Sequence, residues 1–147
     1  MRRIVVVLIL FMALGAQADT LKLDSVFGSW QLMYRGNYGY AFHFFPDYRT
    51  VIMVYLGNHA VVFKGVYTSE EDSRVRVNVY EMKDDMNPSS PDLAGGFQKV
   101  ASTYFLFGAS VNGSGRGAEM SLYPVRVIID GNNSEGYFEP EIRLQRN

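Results

Sequence analysis

The chain of 147 residues has no cysteine, only two histidines and a single tryptophan. Without cysteine it has no disulfide framework, thiolate nucleophile, thiolate metal site or cysteine for a lipid anchor. Its fold must therefore be stabilised by an apolar core. Ten phenylalanines and ten tyrosines can supply that core, because each aromatic side chain buries a large area.

Long apolar runs are also scarce, and the one that exists lies at the N-terminus. Residues 1–3 carry two arginines, residues 4–14 are apolar, and Ala16-Gln17-Ala18 is a small-residue cleavage motif. This pattern predicts a signal peptide over residues 1–18 and a mature domain over residues 19–147. The alternative is an uncleaved membrane anchor, although a bilayer span needs about 20 apolar residues. We expect an exported protein, periplasmic or secreted, with no stable membrane anchor.

The mature chain also has no excess of positive charge. Removal of the leader takes away Arg2 and Arg3, which leaves twelve basic residues against fifteen acidic ones, a net charge of −3. No long basic run remains in the mature chain, so the charge pattern argues against a nucleic acid partner.

The mature chain instead consists of short segments with the alternation of β-strands. In residues 28–35, Trp30 and Leu32 fall on one face while Gln31 and Met33 fall on the other. Residues 74–81 alternate in the same way. We count eight or nine strands joined mostly by short turns, with no helical period of useful length. Gly65 is expected at a bend or bulge, and Pro124 at the end or edge of a strand.

This pattern predicts an all-β fold, an antiparallel up-and-down barrel of about eight strands. Such a barrel is either filled by side chains or holds one small ligand. The stretch of residues 83–96 is the long irregular connection, and it is either a lid or binding loop, or a mobile surface connection.

Short motifs resemble those of small secreted bacterial lipocalin-like proteins. Gly28-Ser29-Trp30 in the first strand is similar to the lipocalin G-x-W signature. Gly65-Val66-Tyr67, Met120-Ser121-Leu122-Tyr123-Pro124 and the final Leu144-Gln145-Arg146 are also similar to segments of these proteins. The chain is shorter than a typical lipocalin and lacks its disulfide and C-terminal helix.

The resemblance implies a structural plug at one end of the barrel. In lipocalins an arginine from near the chain end packs over the tryptophan of the signature. The candidates to pack over Trp30 are Arg146 and Arg143, and Arg146 is preferred because it shares a face with Leu144. Such a contact is a cation–π interaction.

Residues for catalysis or metal binding are few. His43 and His59 lack a nucleophile motif around any serine, and their spacing offers no further metal ligands. Residues 130–141 partly resemble a calcium loop, but the glycine falls at the seventh position rather than the sixth. We therefore expect no catalytic residues, no metal and no cofactor, and a protein that is not an enzyme.

The aromatic residues are the strongest indication of function. If the barrel interior is open, it would form an apolar pocket for a small hydrophobic or amphipathic ligand. The alternative is a solid barrel that binds a protein or cell-surface partner through exposed aromatics (Tyr38, Phe45 and Tyr48) or the 83–96 loop. The oligomeric state stays open. The residues predicted to line the pocket are Tyr34, Tyr40, Phe42, Met53, Phe63, Phe105 and Met120.

Overall fold

The computed structural model describes residues 21–90 and 92–147, so the predicted leader and its cleavage site lie outside the described residues. Two single 3-10 turns, Leu23–Val26 and Gly115–Gly117, are the helical segments of the described chain. No helix in these ranges is long and apolar enough to cross a bilayer. The strands are β1 (Gly28–Tyr34), β2 (Tyr38–Phe44), β3 (Arg49–Leu56), β4 (Ala60–Glu70), β5 (Arg74–Asp85), β6 (Gln98–Lys99), β7 (Tyr104–Asn112), β8 (Glu119–Ile129), β9 (Asn132–Asn133) and β10 (Ile142–Arg146).

Eight of these strands close into an antiparallel barrel, as the sequence predicts. The order is β10-β1-β2-β3-β4-β5-β7-β8, and β8 pairs with β10 to complete the ring. The two-residue strands β6 and β9 pair with β5 and β8 outside this path. Closure leaves no free edge along the shared ladders, which an open sheet would expose to other chains.

The inward faces of the strands form one aromatic core. Phe42, Phe63, Phe105 and Phe107 are at most 1% exposed. The rings of Phe63 and Phe105 meet edge to face, with centroids 5.1 Å apart. Such pairs contribute about 0.5–1.5 kcal/mol beyond the area that they bury.

Two bulges bend the barrel wall. The register between β4 and β5 shifts at Lys64/Gly65, which confirms the bulge expected at Gly65. A Cβ added at Gly65 would lie 2.5 Å from the Asn78 carbonyl oxygen, so only glycine fits there.

Pro124 does not end a strand, but it lies at a strand edge, the other alternative that the sequence predicts, because neither β10 nor β9 pairs with β8 at this residue. β8 runs through it, and the register shift between Leu106 and Phe107 on β7 leaves Val125 as the extra residue. A bulge tolerates proline inside a strand, because the missing N–H falls where the ladder is already interrupted.

The end of the barrel where β1 begins and β10 finishes, here called the closed end, is shut by Trp30 and Arg146. The Arg146 guanidinium carbon lies 4.4 Å from the Trp30 ring centroid. Its Nη2 donates to the carbonyl oxygens of Ser25 (3.0 Å) and Phe27 (3.2 Å), and Trp30 Nε1 donates to that of Val26 (2.9 Å). The first 3-10 turn is thereby fixed across the end of the barrel.

The backbone at Gly28 and the position of Arg143 explain two features of the predicted contact. Gly28 has a φ of +122°, which side-chain-bearing residues rarely adopt, so the glycine of G-x-W is required by the backbone. Arg143, the other candidate, does not reach Trp30. It is exposed, and its Nε pairs with Glu141 Oε1 at 2.8 Å, because odd-numbered residues of β10 face away from the core.

Arg146→Ala is expected to lower the free energy of unfolding by about 2–4 kcal/mol, because a buried cation–π contact and two charge-assisted hydrogen bonds are lost together. Urea unfolding followed by Trp30 fluorescence measures the change. Arg143→Ala, on the same strand but exposed, is the control and should leave the unfolding midpoint unchanged. Equal effects of the two substitutions would contradict the structural role of Arg146.

Candidate ligand site at the barrel mouth

Most of the predicted pocket residues lie in the packed core. Phe42, Phe63, Phe105 and Met120 are 0–1% exposed and belong to one continuous apolar cluster. None of the four lines the surface depressions described below. The interior around these side chains is therefore filled, which is one of the two alternatives that the sequence leaves open.

Residues 134–141, here called the mouth segment, complete the filling. They cross the end of the barrel opposite Trp30, here called the mouth, and insert Phe138, which is only 3% exposed. The Phe138 ring centroid lies 5.0 Å from that of Phe105 and 5.3 Å from that of Phe107. Tyr137 lies beside it and contacts Phe63 at 6.0 Å. An aromatic pair from a loop thus closes the core at the mouth.

Hydrogen bonds hold the mouth segment in place. The Ser134 amide donates to the Val127 carbonyl at 2.8 Å, and the Tyr137 amide donates to the Ser134 carbonyl at 3.2 Å. Farther along, the Glu139 amide donates to the Tyr40 hydroxyl at 3.3 Å. The segment is therefore attached to β8 on one side and to β2 on the other.

A depression of about 490 Å³, here called the mouth groove, lies between the mouth segment and β8. Its wall comprises residues 124–127 of β8, and its other side is the mouth segment from Glu135 to Pro140. Tyr40 contributes from β2. The groove combines the apolar Val125, Val127 and Phe138 with the charged Arg126, and its volume falls in the range of small-molecule sites.

A second depression of about 210 Å³, here called the tyrosine pocket, lies on the other side of the mouth segment. Tyr137 and Glu139 of the mouth segment and Tyr40 of β2 line both depressions, so these three residues separate the two. The residues that line the tyrosine pocket are Tyr34, Tyr38, Gly39, Tyr40, Val54, Tyr55, Leu56, Tyr137 and Glu139.

The phenols at the mouth are held in their neutral form. Burial raises the pKa of Tyr40, and burial followed by the nearby Tyr40 and Asp84 raises the pKa of Tyr137 to about 12. Burial and the hydrogen bond to Glu139 also raise the pKa of Tyr34. The Tyr34 hydroxyl lies 3.1 Å from both carboxylate oxygens of Glu139, to which it donates. These tyrosines thus act as hydrogen-bond donors and aromatic surfaces at any physiological pH.

The prediction that Met53 lines the interior is wrong. Met53 pairs with Ala41 and Val62 in the sheet, and with them it forms a second buried cluster on the outer face of the barrel. Tyr34 and Tyr40, also predicted as pocket residues, lie at the mouth, where Tyr34 is 49% exposed and Tyr40 is 6% exposed.

The second cluster is covered by the loop of residues 86–97, here called the outer loop, in which all but Pro91 are described. Phe97 packs against the cluster, and the ammonium groups of Lys64 and Lys83 lie 4.0 and 4.8 Å from its ring centroid. Lys83 also donates to the carbonyls of Asp92 and Gly95. The irregular stretch predicted at residues 83–96 therefore begins after β5 and covers the outer wall, not the mouth.

The two histidines make separate polar contacts. His43 Nδ1 lies 2.8 Å from Ser29 Oγ on the outer face, and His59 Nδ1 lies 2.6 Å from Asp84 Oδ1. No carboxylate contacts His43 within residues 21–90 and 92–147, so the serine–histidine pair lacks the third group of a catalytic triad. No group of three or more His, Asp or Glu side chains in the same ranges is arranged to hold a metal ion.

Sequence reasoning missed the three residues that divide the mouth, Tyr137, Phe138 and Glu139. In the sequence, residues 130–141 stand out only by their partial resemblance to a calcium loop, which does not predict how they pack. A signal was present, because an adjacent aromatic pair between Gly136 and Pro140 is unusual for a purely solvated connection.

Comparisons of this chain with family models, with curated proteins and with solved structures returned no match.

His43→Gln is expected to weaken the dependence of stability on pH between about 7 and 5. Burial lowers the pKa of His43 below its ordinary value of 6.5. The unfolded chain therefore binds more protons than the folded one as the pH falls below 6.5, and stability decreases in this window. Thermal unfolding at a series of pH values measures the slope. His59→Gln retains His43 and should keep the dependence of stability on pH between about 7 and 5. Loss of this dependence in His59→Gln, and not in His43→Gln, would contradict its assignment to His43.

Proposed function

We propose that this protein is an exported, non-catalytic binding protein that takes a small amphipathic molecule at the barrel mouth. The observation that carries the proposal is the mouth groove, in which apolar side chains of β8 and the mouth segment face each other across about 490 Å³. The lipocalin-like motifs and the closed eight-stranded barrel support the same class of function.

The groove suits an amphipathic ligand because its lining is mixed. Val125, Pro124 and Pro140 offer apolar surface. Tyr40, Arg126 and Glu135 offer polar groups at the edge. A ligand that buries about 300 Å² of apolar surface gains roughly 7 kcal/mol. The entropy of association offsets several kcal/mol of this gain, so we expect micromolar affinity.

Binding at the mouth requires less rearrangement than binding inside the barrel. An interior ligand would have to displace Phe138, whose ring contacts Phe105 and Phe107, and removal of a buried phenylalanine from a core costs about 3–5 kcal/mol. The mouth groove is already open beside the same ring.

The alternative, a solid barrel that binds a partner through exposed aromatics, has less support. Tyr38 begins β2 at the mouth, whereas Phe45 and Tyr48 follow β2 at the other end of the barrel. A strand of this length separates the two groups by roughly 20 Å, so they do not form one contiguous patch. The outer loop, the other proposed contact, is fixed to the barrel wall by Lys83.

Val125→Asp is expected to weaken binding of a neutral naphthylamine fluorophore at least tenfold, because a carboxylate is placed on the apolar wall of the groove. Fluorescence titration measures the affinity, and native mass spectrometry of the protein after exposure to a lipid extract measures retained molecules. Val125 is 45% exposed, so the substitution should not prevent folding.

Val66→Asp is the matched control, because Val66 is 41% exposed on β4 and lies outside the groove. It should bind the fluorophore as the unmodified protein does. The proposal fails if the unmodified protein binds neither the fluorophore nor any extract component, or if both variants lose binding equally.

A further inference from the structure

We propose that the tyrosine pocket binds the positively charged end of the ligand, an alkylated ammonium group, while the mouth groove takes the apolar remainder. This inference rests on the proposed function and names the chemical class of its ligand. It starts from the composition of the tyrosine pocket, whose lining combines five tyrosines with a single carboxylate, that of Glu139. The tyrosines are Tyr34, Tyr38, Tyr40, Tyr55 and Tyr137.

The aromatic lining favours a cation of low hydration. The faces of aromatic rings carry negative potential, and a cation over a ring gains about 0.5–1 kcal/mol at exposed sites and about 2 kcal/mol where water is excluded. Several rings around one site are the usual means of recognising quaternary ammonium groups. The apolar Val54 and Leu56 complete a lining that suits the methyl groups of such an ion.

Glu139 supplies an anion that the protein itself does not neutralise. None of the ion pairs among residues 21–90 and 92–147 involves Glu139, and no lysine or arginine lines the tyrosine pocket. The Tyr34 hydroxyl contacts both of its carboxylate oxygens and orients them. The carboxylate is therefore positioned to act as the counter-ion of a bound cation.

A metal ion fits this pocket less well than an organic cation. Calcium and magnesium need six or more oxygen ligands, whereas the tyrosine pocket offers one carboxylate and neutral phenols. A volume of about 210 Å³ instead accommodates a trimethylammonium group with a short chain. Because Tyr40, Tyr137 and Glu139 also line the mouth groove, an alkyl chain attached to that group can continue across the mouth segment into the groove.

Isothermal titration of the protein with hexyltrimethylammonium, hexanol and hexyl sulfate tests the inference. We expect the cation to bind at least tenfold more tightly than the alcohol of equal chain length, and the sulfate to bind more weakly than either. Added salt should reduce the advantage of the cation, because the carboxylate is exposed to solvent. Equal affinity for the cation and the alcohol would overturn the inference.

Glu139→Gln should remove most of the preference for the cation, roughly a tenfold loss, since the amide keeps the shape but not the charge. Tyr34→Phe, which releases the carboxylate from its hydrogen bond, should reduce the preference less. Glu71→Gln is the matched control, because Glu71 is an exposed acid in the turn between β4 and β5 and lines neither depression. It should keep the preference; an equal loss in Glu71→Gln would overturn the role of Glu139.

The neutral fluorophore separates this inference from the proposed function. Fluorophore binding without any cation preference in the unmodified protein would overturn the inference and leave the mouth site standing. If the unmodified protein binds neither the cation nor the fluorophore, both the inference and the proposed function are overturned.

Discussion

The last strand, β10, hydrogen-bonds to β1 on one side and to β8 on the other, and the rest of the barrel depends on this double pairing. Trp30 pairs with Arg146 across one ladder, and Leu144 pairs with Met120 across the other. Arg146 adds a stacking contact on Trp30 and hydrogen bonds to the first 3-10 turn. The first and last strands of the described residues are thereby joined at one place, which turns a meander of strands into a closed surface.

The same constraint creates the candidate site. β8 has eleven residues but β10 has only five, so β10 pairs with β8 only from Glu119 to Leu122. β9 covers Ile128 and Ile129 on the same side, which leaves the intervening part of β8 without a strand partner there. The chain must cross the mouth between β9 and β10, and the groove forms where the mouth segment passes this uncovered stretch. Phe138 closes the core in the process, while Tyr137 and Glu139 stay accessible between the two depressions.

Much of the fold was predictable from local pattern. Period-two alternation predicted the strands, and the glycine in the β4 segment predicted the bulge at Gly65. The bulge beside Pro124 was not foreseen, although this proline does lie at a locally unpaired edge of β8. The site was predicted only in part. Tyr34 and Tyr40 belong to it, but the mouth segment was missed, because a short irregular connection carries no periodic signal and its position depends on which strands it joins. Four of the predicted pocket residues do lie in the interior, but their side chains pack in the core and line neither depression. They are Phe42, Phe63, Phe105 and Met120.

The sequence by itself therefore determined where the barrel strands lie, and the resemblance of its motifs to lipocalins implied that an arginine near the chain end packs over Trp30. It also limited the chemistry, since no cysteine and only two histidines are present. Only the tertiary structure decided which apolar face of β2 and β3 is the inside. Both faces are hydrophobic, because one packs in the barrel and the other is covered by the outer loop, so alternation alone assigned Met53 to the wrong side. The register pairs Met53 with Ala41 and places it in the outer cluster against which Phe97 packs.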